Sequence, residues 1–218
     1  MRLIRAIGLL LLSFALIIGS AACATTETID ISAYCIGDSI TFGLGCESGG
    51  YEATLQTLLK TRANENWTIY NLGVCGDTTS GMLARFSTDV LSHPDCKYVF
   101  IWGGINDVQL GYDVLVPEAN LQSMFTQAHT AGIIVVSLNL IPLNYMWTPT
   151  KRAAIKAINA WIAETATDVD YRIDVYSVFE DPDDPGHLNS AYTTDGLHLN
   201  CSGYNLVAKV VFQGVMWP

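Results

Sequence analysis

Apolar runs that alternate with helical patterns restrict the fold of this chain more than any other feature of its sequence. The run at 98–102 (YVFIW) is apolar throughout and ends at two glycines, which is typical of a strand buried on both faces. Four similar runs predict further strands at 29–36, 67–72, 133–141 and 172–178. Helices are predicted around them at 51–62, 78–91, 118–130, 150–165 and 204–215.

This alternation predicts the fold class. Strand–helix–strand units form right-handed crossovers between parallel strands, so we expect an α/β fold with a parallel sheet of about five strands. The expected architecture is a three-layer α/β/α sandwich, flavodoxin-like, with helices on both faces of the sheet. An apolar content of 50% excludes a disordered chain. Because no repeat or linker divides the sequence, residues 23–218 are predicted to form one domain.

Residues 1–22 are predicted to be a signal peptide rather than part of that domain. Arg2 and Arg5 precede an apolar stretch at 6–19, and small residues follow it. A retained anchor helix is the alternative, although the apolar stretch is short for a membrane span of ~20 residues. This segment also largely explains the positive mean hydropathy of +0.29. We therefore expect the protein to be exported.

Cys23 is a candidate lipidation site. It follows Ser20, Ala21 and Ala22, and small residues directly ahead of a cysteine fit the processing of a bacterial lipoprotein. Ser20 departs from that pattern, in which leucine is preferred. Ordinary cleavage after an A-x-A sequence, here 22–24, is the alternative. Periplasmic, secreted and lipid-anchored locations all stay open, the last with membrane attachment through a lipidated Cys23.

The remaining cysteines matter because an exported protein meets an oxidising environment. They are odd in number, so at least one stays unpaired within the chain. Cys35 falls in a predicted core strand, where a small buried side chain is the simplest interpretation. One or two disulfides can form among the others, with no pairing favoured: Cys46, Cys75, Cys96 and Cys201. Their spacing does not suggest zinc, and we expect neither a metal nor another cofactor.

The charge of the chain argues against one class of partner. A formal net charge of −10 disfavours nucleic-acid binding, because a surface that follows phosphates needs an excess of Lys and Arg. The acidic segment at 180–186 (EDPDDPG) is predicted to be a solvated surface loop. Calcium binding there is a minor alternative, since the segment lacks the ligand spacing of a calcium loop.

Polar motifs follow three of the predicted strands, and a fourth lies near the C-terminus. In open α/β sheets the ligand crevice lies beyond the carboxyl ends of the strands, so these motifs are expected to meet there. Their order along the chain makes the set specific, whereas each alone is a weak signal. The motifs are GDSI at 37–40, NLGVCGDT at 71–78, GGIND at 103–107 and DGLH at 195–198.

The four motifs in this order resemble those of the SGNH/GDSL hydrolase superfamily, and the resemblance covers the chain from 23 onwards. The first motif reads GDSI where the family name has GDSL. The resemblance implies a flavodoxin-like sandwich and the hydrolysis of carboxylic esters. It assigns the family's functional positions to Ser39, Gly76, Asn106 and His198, with Asp195 as the acid. Gly73 is the alternative glycine, although it fits better as the turn that closes the second strand.

The chemistry of these residues agrees with the roles that the resemblance implies. A serine hydroxyl needs a base to remove its proton as it attacks, and His198 is the candidate base for Ser39. Asp195 can hold the imidazole in the correct tautomer. His187, in the acidic loop, is the rival base. Asp38 is expected to hydrogen-bond its own loop and so orient Ser39.

An attacked ester carbonyl becomes an oxyanion, which needs donors fixed in advance. By resemblance to the family, these are the backbone N–H groups of Ser39 and Gly76 and the side chain of Asn106. The sequence thus predicts an exported serine esterase with a Ser-His-Asp triad, acting through an acyl-enzyme on a small-molecule, lipid or carbohydrate ester. An acyltransferase with the same site is one alternative, and a non-catalytic surface lipoprotein that binds glycan or lipid is another.

Overall fold

A five-stranded, all-parallel sheet forms the centre of the computed structural model, which describes residues 27–62 and 64–216. The predicted signal peptide and Cys23 lie outside the described residues. The strands run in the order β2-β1-β3-β4-β5, the flavodoxin-like order. Their bounds are β1 Ile29–Gly37, β2 Glu65–Gly73, β3 Cys96–Trp102, β4 Ile134–Leu138 and β5 Tyr171–Ile173.

Helices cover both faces of this sheet, so the predicted three-layer α/β/α fold is confirmed. The helix α2 packs against α8 on one side, whereas α5 packs against α3 and α6 on the other. The longer helices are α2 Glu52–Leu59, α3 Thr79–Phe86, α5 Leu115–Thr130, α6 Pro149–Glu164 and α8 Cys201–Met216. The shorter helices are α1 Ser39–Phe42, α4 Ile105–Leu110 and α7 Tyr176–Phe179.

The core lies where the sequence pattern places it, around the two central strands. Val99, Phe100 and Ile101 of β3 have no exposed surface, and Trp102 is 3% exposed. A continuous apolar run is therefore buried on both faces of the sheet, as expected for a strand in a parallel arrangement. The burial of β1 and β3 fixes the carboxyl ends of the strands that the GDSI and GGIND motifs follow.

Two predicted strands end earlier than the sequence suggests, because polar side chains bind the backbone that would have continued the sheet. The Asn139 side chain accepts hydrogen bonds from the N–H groups of Val175 and Tyr176, and the chain turns into α7. The strand predicted at 172–178 is therefore only Tyr171–Ile173. The side chain of Asn159 likewise binds both backbone groups of Leu140, beyond the end of β4 at Leu138.

Four predicted helices also differ in extent. The helix α2 ends at Leu59 rather than at 62, and α5 begins at Leu115 rather than at 118. The helix predicted from Thr78 begins at Thr79, with the Thr78 hydroxyl as its cap accepting from Gly81 N, and it changes into a π-helical turn at Ser87–Leu91. The last helix begins at Cys201, earlier than the predicted Tyr204. Its start is fixed by the side chain of Asn200, which accepts a hydrogen bond from Gly203 N.

Candidate active site

Ser39 is the first residue of α1 and directly follows the carboxyl end of β1. The Asp38 side chain caps this helix by accepting a hydrogen bond from Ile40 N at 2.8 Å. Gly37 ends the strand where a Cβ would lie 2.1 Å from Thr41 Oγ1 and 2.5 Å from the Trp102 carbonyl oxygen. Only glycine therefore allows the tight turn from β1 into α1. Ser39 itself is 6% exposed.

Three of the predicted site residues form a continuous chain of hydrogen bonds. Ser39 Oγ lies 2.9 Å from Nε2 of His198, although 159 residues separate them in sequence. Nδ1 of the same imidazole lies 2.6 Å from Oδ2 of Asp195. A hydroxyl, an imidazole and a carboxylate that are hydrogen-bonded in this order have the geometry of a nucleophile, a base and an orienting acid.

The carboxylate of Asp195 is held in its ionised form by its neighbours. Its Oδ1 accepts hydrogen bonds from the backbone N–H groups of Leu197 at 2.9 Å and His198 at 2.7 Å. Burial by itself would raise the pKa of Asp195, but the hydrogen bonds from the His198 side chain and these backbone groups outweigh it. The net result is a pKa below the ordinary value of an aspartate. The group therefore stays charged where the imidazole needs a negative partner.

The turn that carries Asp195 and His198 is held by residues that the sequence patterns did not reveal. The Thr193 hydroxyl donates to the carbonyl of His198 at 2.7 Å and accepts from Gly196 N at 2.9 Å. The N–H groups of Asn144 and Tyr145, in the segment after β4, donate to the Gly196 carbonyl. Thr193 and the segment after β4 thus hold the imidazole, because no strand of the sheet leads directly into this turn.

Gly76 and Asn106 lie in the segments that follow β2 and β3. Gly76 has a φ of 78°, and nothing lies within 4 Å of a Cβ built on it, so backbone conformation rather than crowding favours glycine there. Gly73, the alternative glycine, is crowded: a Cβ would lie 2.1 Å from Phe42 N. Asn106 Nδ2 donates to the Asp77 carbonyl at 2.8 Å, which ties its amide to the residue after Gly76.

Arg85 connects two of these segments and was not singled out by the sequence. Its guanidinium donates to Oδ2 of Asp77 and to Oδ2 of Asp89, each at 2.8 Å. A third donor binds the carbonyl of Gly37 at 2.9 Å. One planar guanidinium therefore links the end of β1 with the segment after β2. Folding brings the three partners of Arg85 together, so no local sequence pattern identifies this residue.

Two buried carboxyl groups lie close to Ser39 in the sequence. Burial raises the pKa of Asp38 to about 7, with smaller contributions from the charges of Asp77 and Asp107, against the lowering effect of its hydrogen bond from Ile40 N. Burial also raises the pKa of Glu52 to about 8. Glu52 borders a cavity of about 570 Å³ between α1, α2 and β2, and its burial was not predicted from the sequence.

His187, the rival base, lies in a different environment from His198. Its ring stacks on Trp147 with centroids 4.7 Å apart, and its Nδ1 lies 3.1 Å from Oδ2 of Asp184. The imidazole beside Ser39 Oγ is that of His198.

One disulfide connects the two halves of the site region. It joins Cys46, in the loop after α1, to Cys201, the first residue of α8. Cys35 and Cys96 are buried free thiols, and Cys75 is exposed. The burial of Cys35 agrees with its predicted place in a core strand. Within residues 27–62 and 64–216, no group of three His, Cys, Asp or Glu side chains could hold a metal ion.

Large apolar side chains are exposed on the loops beyond the carboxyl ends of the strands. Examples are Phe42 after β1, Val74 after β2 and Tyr145 after β4, which are 53%, 46% and 50% exposed. Leu110 and Tyr112, at and just beyond the end of α4, are exposed as well. Tyr51, which directly precedes α2, is instead fully buried. Among the helices of the described part, none combines the length and apolar character of a membrane span.

The parallel sheet and the four motif segments have the arrangement expected for the SGNH/GDSL superfamily. The sequence profile of the GDSL-like lipase/acylhydrolase family matches residues 35–206, and the chain belongs to this family. The resemblance seen in the four motifs is thereby confirmed.

Individual relatives agree with this assignment. Esterase TesA of Pseudomonas aeruginosa is 33% identical over 112 residues, which are 50% of this chain and 55% of the relative. The uncharacterized lipoprotein YqeF of Bacillus subtilis is 36% identical over 99 residues, 44% of this chain and 40% of the relative. The matched region thus spans about half, or less, of these curated relatives. The crystal structure of a lipase/acylhydrolase from Enterococcus faecalis has the same fold, with a TM-score of 0.69 at 22% identity, covering 85% of this chain and 95% of that one.

Proposed function

We propose that this protein is an exported serine esterase that hydrolyses carboxylic esters through an acyl-enzyme on Ser39. The observation that carries the proposal is the contact of 2.9 Å between Ser39 Oγ and His198 Nε2, continued at 2.6 Å to Asp195. Membership of a lipase and acylhydrolase family supports it, as does the relative named an esterase.

In the proposed reaction, His198 accepts the hydroxyl proton while Ser39 Oγ attacks the ester carbonyl carbon. The carbonyl π electrons move to oxygen, and the tetrahedral intermediate then expels the alcohol, which takes the proton back from His198. A water molecule repeats these steps on the acyl-enzyme and releases the acid. Asp195 stabilises the imidazolium in both halves of the reaction.

The oxyanion is proposed to bind the backbone N–H groups of Ser39 and Gly76 and the amide of Asn106. Asn106 Nδ2 carries two hydrogens, and one donates to the Asp77 carbonyl, so the other can serve the oxyanion. Such donors act only because they are fixed before the charge develops. The bond to Asp77 supports this role because it restrains the amide.

The substrate is proposed to be an ester with a short acyl chain, a lipid ester or an acetylated carbohydrate. Exposed apolar side chains such as Phe42 and Val74 support an apolar acyl or aromatic group near the site. The net charge of −10 disfavours a polyanionic substrate.

The test is turnover of p-nitrophenyl esters of increasing chain length, acetylated xylan and a lysophospholipid. Ser39→Ala and His198→Ala should each reduce kcat by at least about 10³-fold, since the members of such a triad act as a unit. Ser87→Ala, which removes an exposed hydroxyl at the end of α3, is the matched control. Full activity of Ser39→Ala would refute the mechanism. Loss of activity in His187→Ala with a fully active His198→Ala would move the base to His187.

We also propose that Cys23 carries a lipid after export. The order of a basic segment, an apolar stretch and small residues before Cys23 supports this, and the relative YqeF is named a lipoprotein. Mass spectrometry of the mature N-terminus decides the question. A diacylglycerol on Cys23 is expected, whereas an unmodified N-terminus that starts at another residue would contradict lipidation.

A further inference from the structure

We propose that the disulfide between Cys46 and Cys201 positions His198 against Ser39, and so contributes to catalysis in addition to stability. The inference rests on the proposed function of Ser39 and His198. The disulfide joins residues 155 positions apart in sequence, and the contact between Ser39 and His198 spans 159. The covalent link therefore closes almost the same loop of chain as the contact it would maintain.

Cys46 is tied to the backbone of Ser39 through one short loop. The N–H groups of Gly43 and Leu44 both donate to the carbonyl oxygen of Ser39, at 3.1 and 3.0 Å. Cys46 N in turn donates to the carbonyl of Gly43 at 3.2 Å. Movement of Cys46 is therefore transmitted to Ser39 through two successive hydrogen-bonded turns.

Cys201 is tied just as closely to His198. Only Leu199, which is fully buried, and Asn200 separate the two residues, and Cys201 begins α8. The carbonyl of His198 is bound by Thr193, so the chain is held on both sides of the imidazole. A shift of the α8 start therefore displaces the ring of His198.

The two linked segments also touch beside the disulfide. The hydroxyl of Tyr204, in α8, donates to the carbonyl of Leu44 at 2.8 Å. A Cβ on Gly45 would lie 2.5 Å from the Leu199 carbonyl oxygen and 3.3 Å from Cβ of His198. Gly45, at a φ of 100°, lets the two backbones approach this closely. The disulfide is the covalent part of a contact that includes the residue next to the candidate base.

The proposed catalysis depends on the position of the His198 imidazole relative to Ser39 Oγ. These two groups come from opposite ends of the chain. Ser39 is in helix α1 and His198 is in the turn before α8. Neither residue belongs to a strand, so the hydrogen bonds of the sheet do not hold the two together. A misplacement of about 1 Å between reacting groups can reduce turnover by about 10²-fold. Cys201 is exposed and Cys46 partly so, and a reductant in solution can therefore reach the bond.

The test compares the wild type with the double variant Cys46→Ser/Cys201→Ser on a p-nitrophenyl ester. We expect kcat to fall about 10- to 100-fold, with KM changed less than about threefold. The rate at which a fluorophosphonate labels Ser39 should fall by a similar factor. Cys96→Ser, which removes a free thiol at the first residue of β3, at the other end of that strand from the GGIND motif, is the matched control and should keep wild-type kcat per folded protein.

The folded fraction of each sample is measured by circular dichroism under the assay conditions. A loss of kcat larger than the loss of folded protein supports positioning. A loss equal to the unfolded fraction, or an unchanged kcat in a folded variant, would show that the disulfide acts on stability alone. Reduction of the native wild type by a phosphine, followed by reoxidation, gives the same comparison where the double variant does not fold.

A parallel assay of Ser39→Ala separates this inference from the proposed function. If Ser39→Ala is inactive and the double variant is folded with full kcat, positioning by the disulfide is wrong and the proposed mechanism stands. If Ser39→Ala remains active, the proposed mechanism is wrong and the positioning of Ser39 by Cys46 falls with it.

Discussion

Asp107 accepts two hydrogen bonds from Thr79, one from its backbone N–H at 2.9 Å and one from its hydroxyl at 2.6 Å. No part of Asp107 is exposed. Asp107 directly follows Asn106, and Thr79 begins α3 shortly after Gly76. This pair therefore joins the two segments that carry the proposed oxyanion donors. The same carboxylate thus binds the backbone N–H of Thr79, which has no partner within α3 because it lies at the N-terminus of the helix.

Replacement of Asp107 by Asn should affect both stability and turnover. An amide oxygen can accept from Thr79 N or from its hydroxyl, but its NH₂ group leaves one buried partner unsatisfied, at a cost of about 1–3 kcal/mol. Because Asn106 is adjacent, we expect kcat to fall about 10-fold as well. Urea unfolding and steady-state kinetics measure the two effects. Asp113→Asn, at an exposed position, is the control, and equal behaviour of both variants would contradict the prediction.

Removal of the Asn106 amide should reduce kcat while KM changes little. Loss of one oxyanion donor typically costs about 10²–10³-fold in turnover, because the donor acts mainly on the transition state. Asn106→Ala is compared with Asn66→Ala, the same truncation at an exposed position near the start of β2. A kcat for Asn106→Ala within about threefold of the control would exclude Asn106 as an oxyanion donor.

Arg85→Lys should weaken the connection between the end of β1 and the segment after β2. A lysine ammonium cannot reproduce the planar fork that reaches Asp77, Asp89 and the Gly37 carbonyl together. We expect a loss of about 1–2 kcal/mol in the free energy of unfolding and a kcat lower by about 3- to 10-fold. Arg62→Lys is the control, because Arg62 forms a single ion pair with Glu65 at the surface. Equal losses in both variants would count against a role of Arg85 at the site.

Glu52 should make the protein less stable as the pH rises. Burial raises the pKa of Glu52 to about 8 in the folded state, from a value of 4.5 when it is unperturbed. Between these values the folded state binds a proton that the unfolded state does not, so the free energy of unfolding decreases with pH. The slope from one such group is at most about 1.4 kcal/mol per pH unit.

Glu52→Gln should flatten this dependence and leave the variant more stable than the wild type at pH 9. Urea unfolding at pH 5, 7 and 9 provides the measurement. Part of the slope should persist, because the pKa of Asp38 is also raised by burial, to about 7. Glu47→Gln, at an exposed position, is expected to leave the slope unchanged. Parallel curves for Glu52→Gln and the wild type would contradict the buried state of Glu52.

The sheet could be predicted from the sequence because its central strands are buried on both faces. The run at 98–102 has no polar residue that could compete for the backbone, and β3 lies where it was expected. The strand predicted at 172–178 was too long because Asn139, far away in sequence, binds the N–H groups of Val175 and Tyr176. Local patterns contain no information about such a distant partner.

The residues of the candidate site also divide into those that a local pattern indicates and those that depend on distant contacts. The segments that contain Ser39, Gly76 and Asn106 could be located because each follows a strand, and the sheet brings the strand ends together. The choice of these three residues within the segments came from the resemblance to the family. The disulfide partners could not be identified, since Cys46 and Cys201 meet only through the contact of α8 with the loop after α1. Arg85 and Thr193 were missed for a related reason. Their partners are backbone carbonyls and side chains whose positions are set by the folded chain.

The direction of β1 separates the start of the strand from the candidate site. Ile29 begins this strand and Gly37 ends it, so Ile29 lies at the end of the sheet opposite to Ser39. Nine residues of strand span about 30 Å. The candidate crevice therefore lies about one strand length from the residue at which β1 begins. If Cys23 is lipidated as proposed, we expect this separation to leave the crevice accessible to esters supplied in solution.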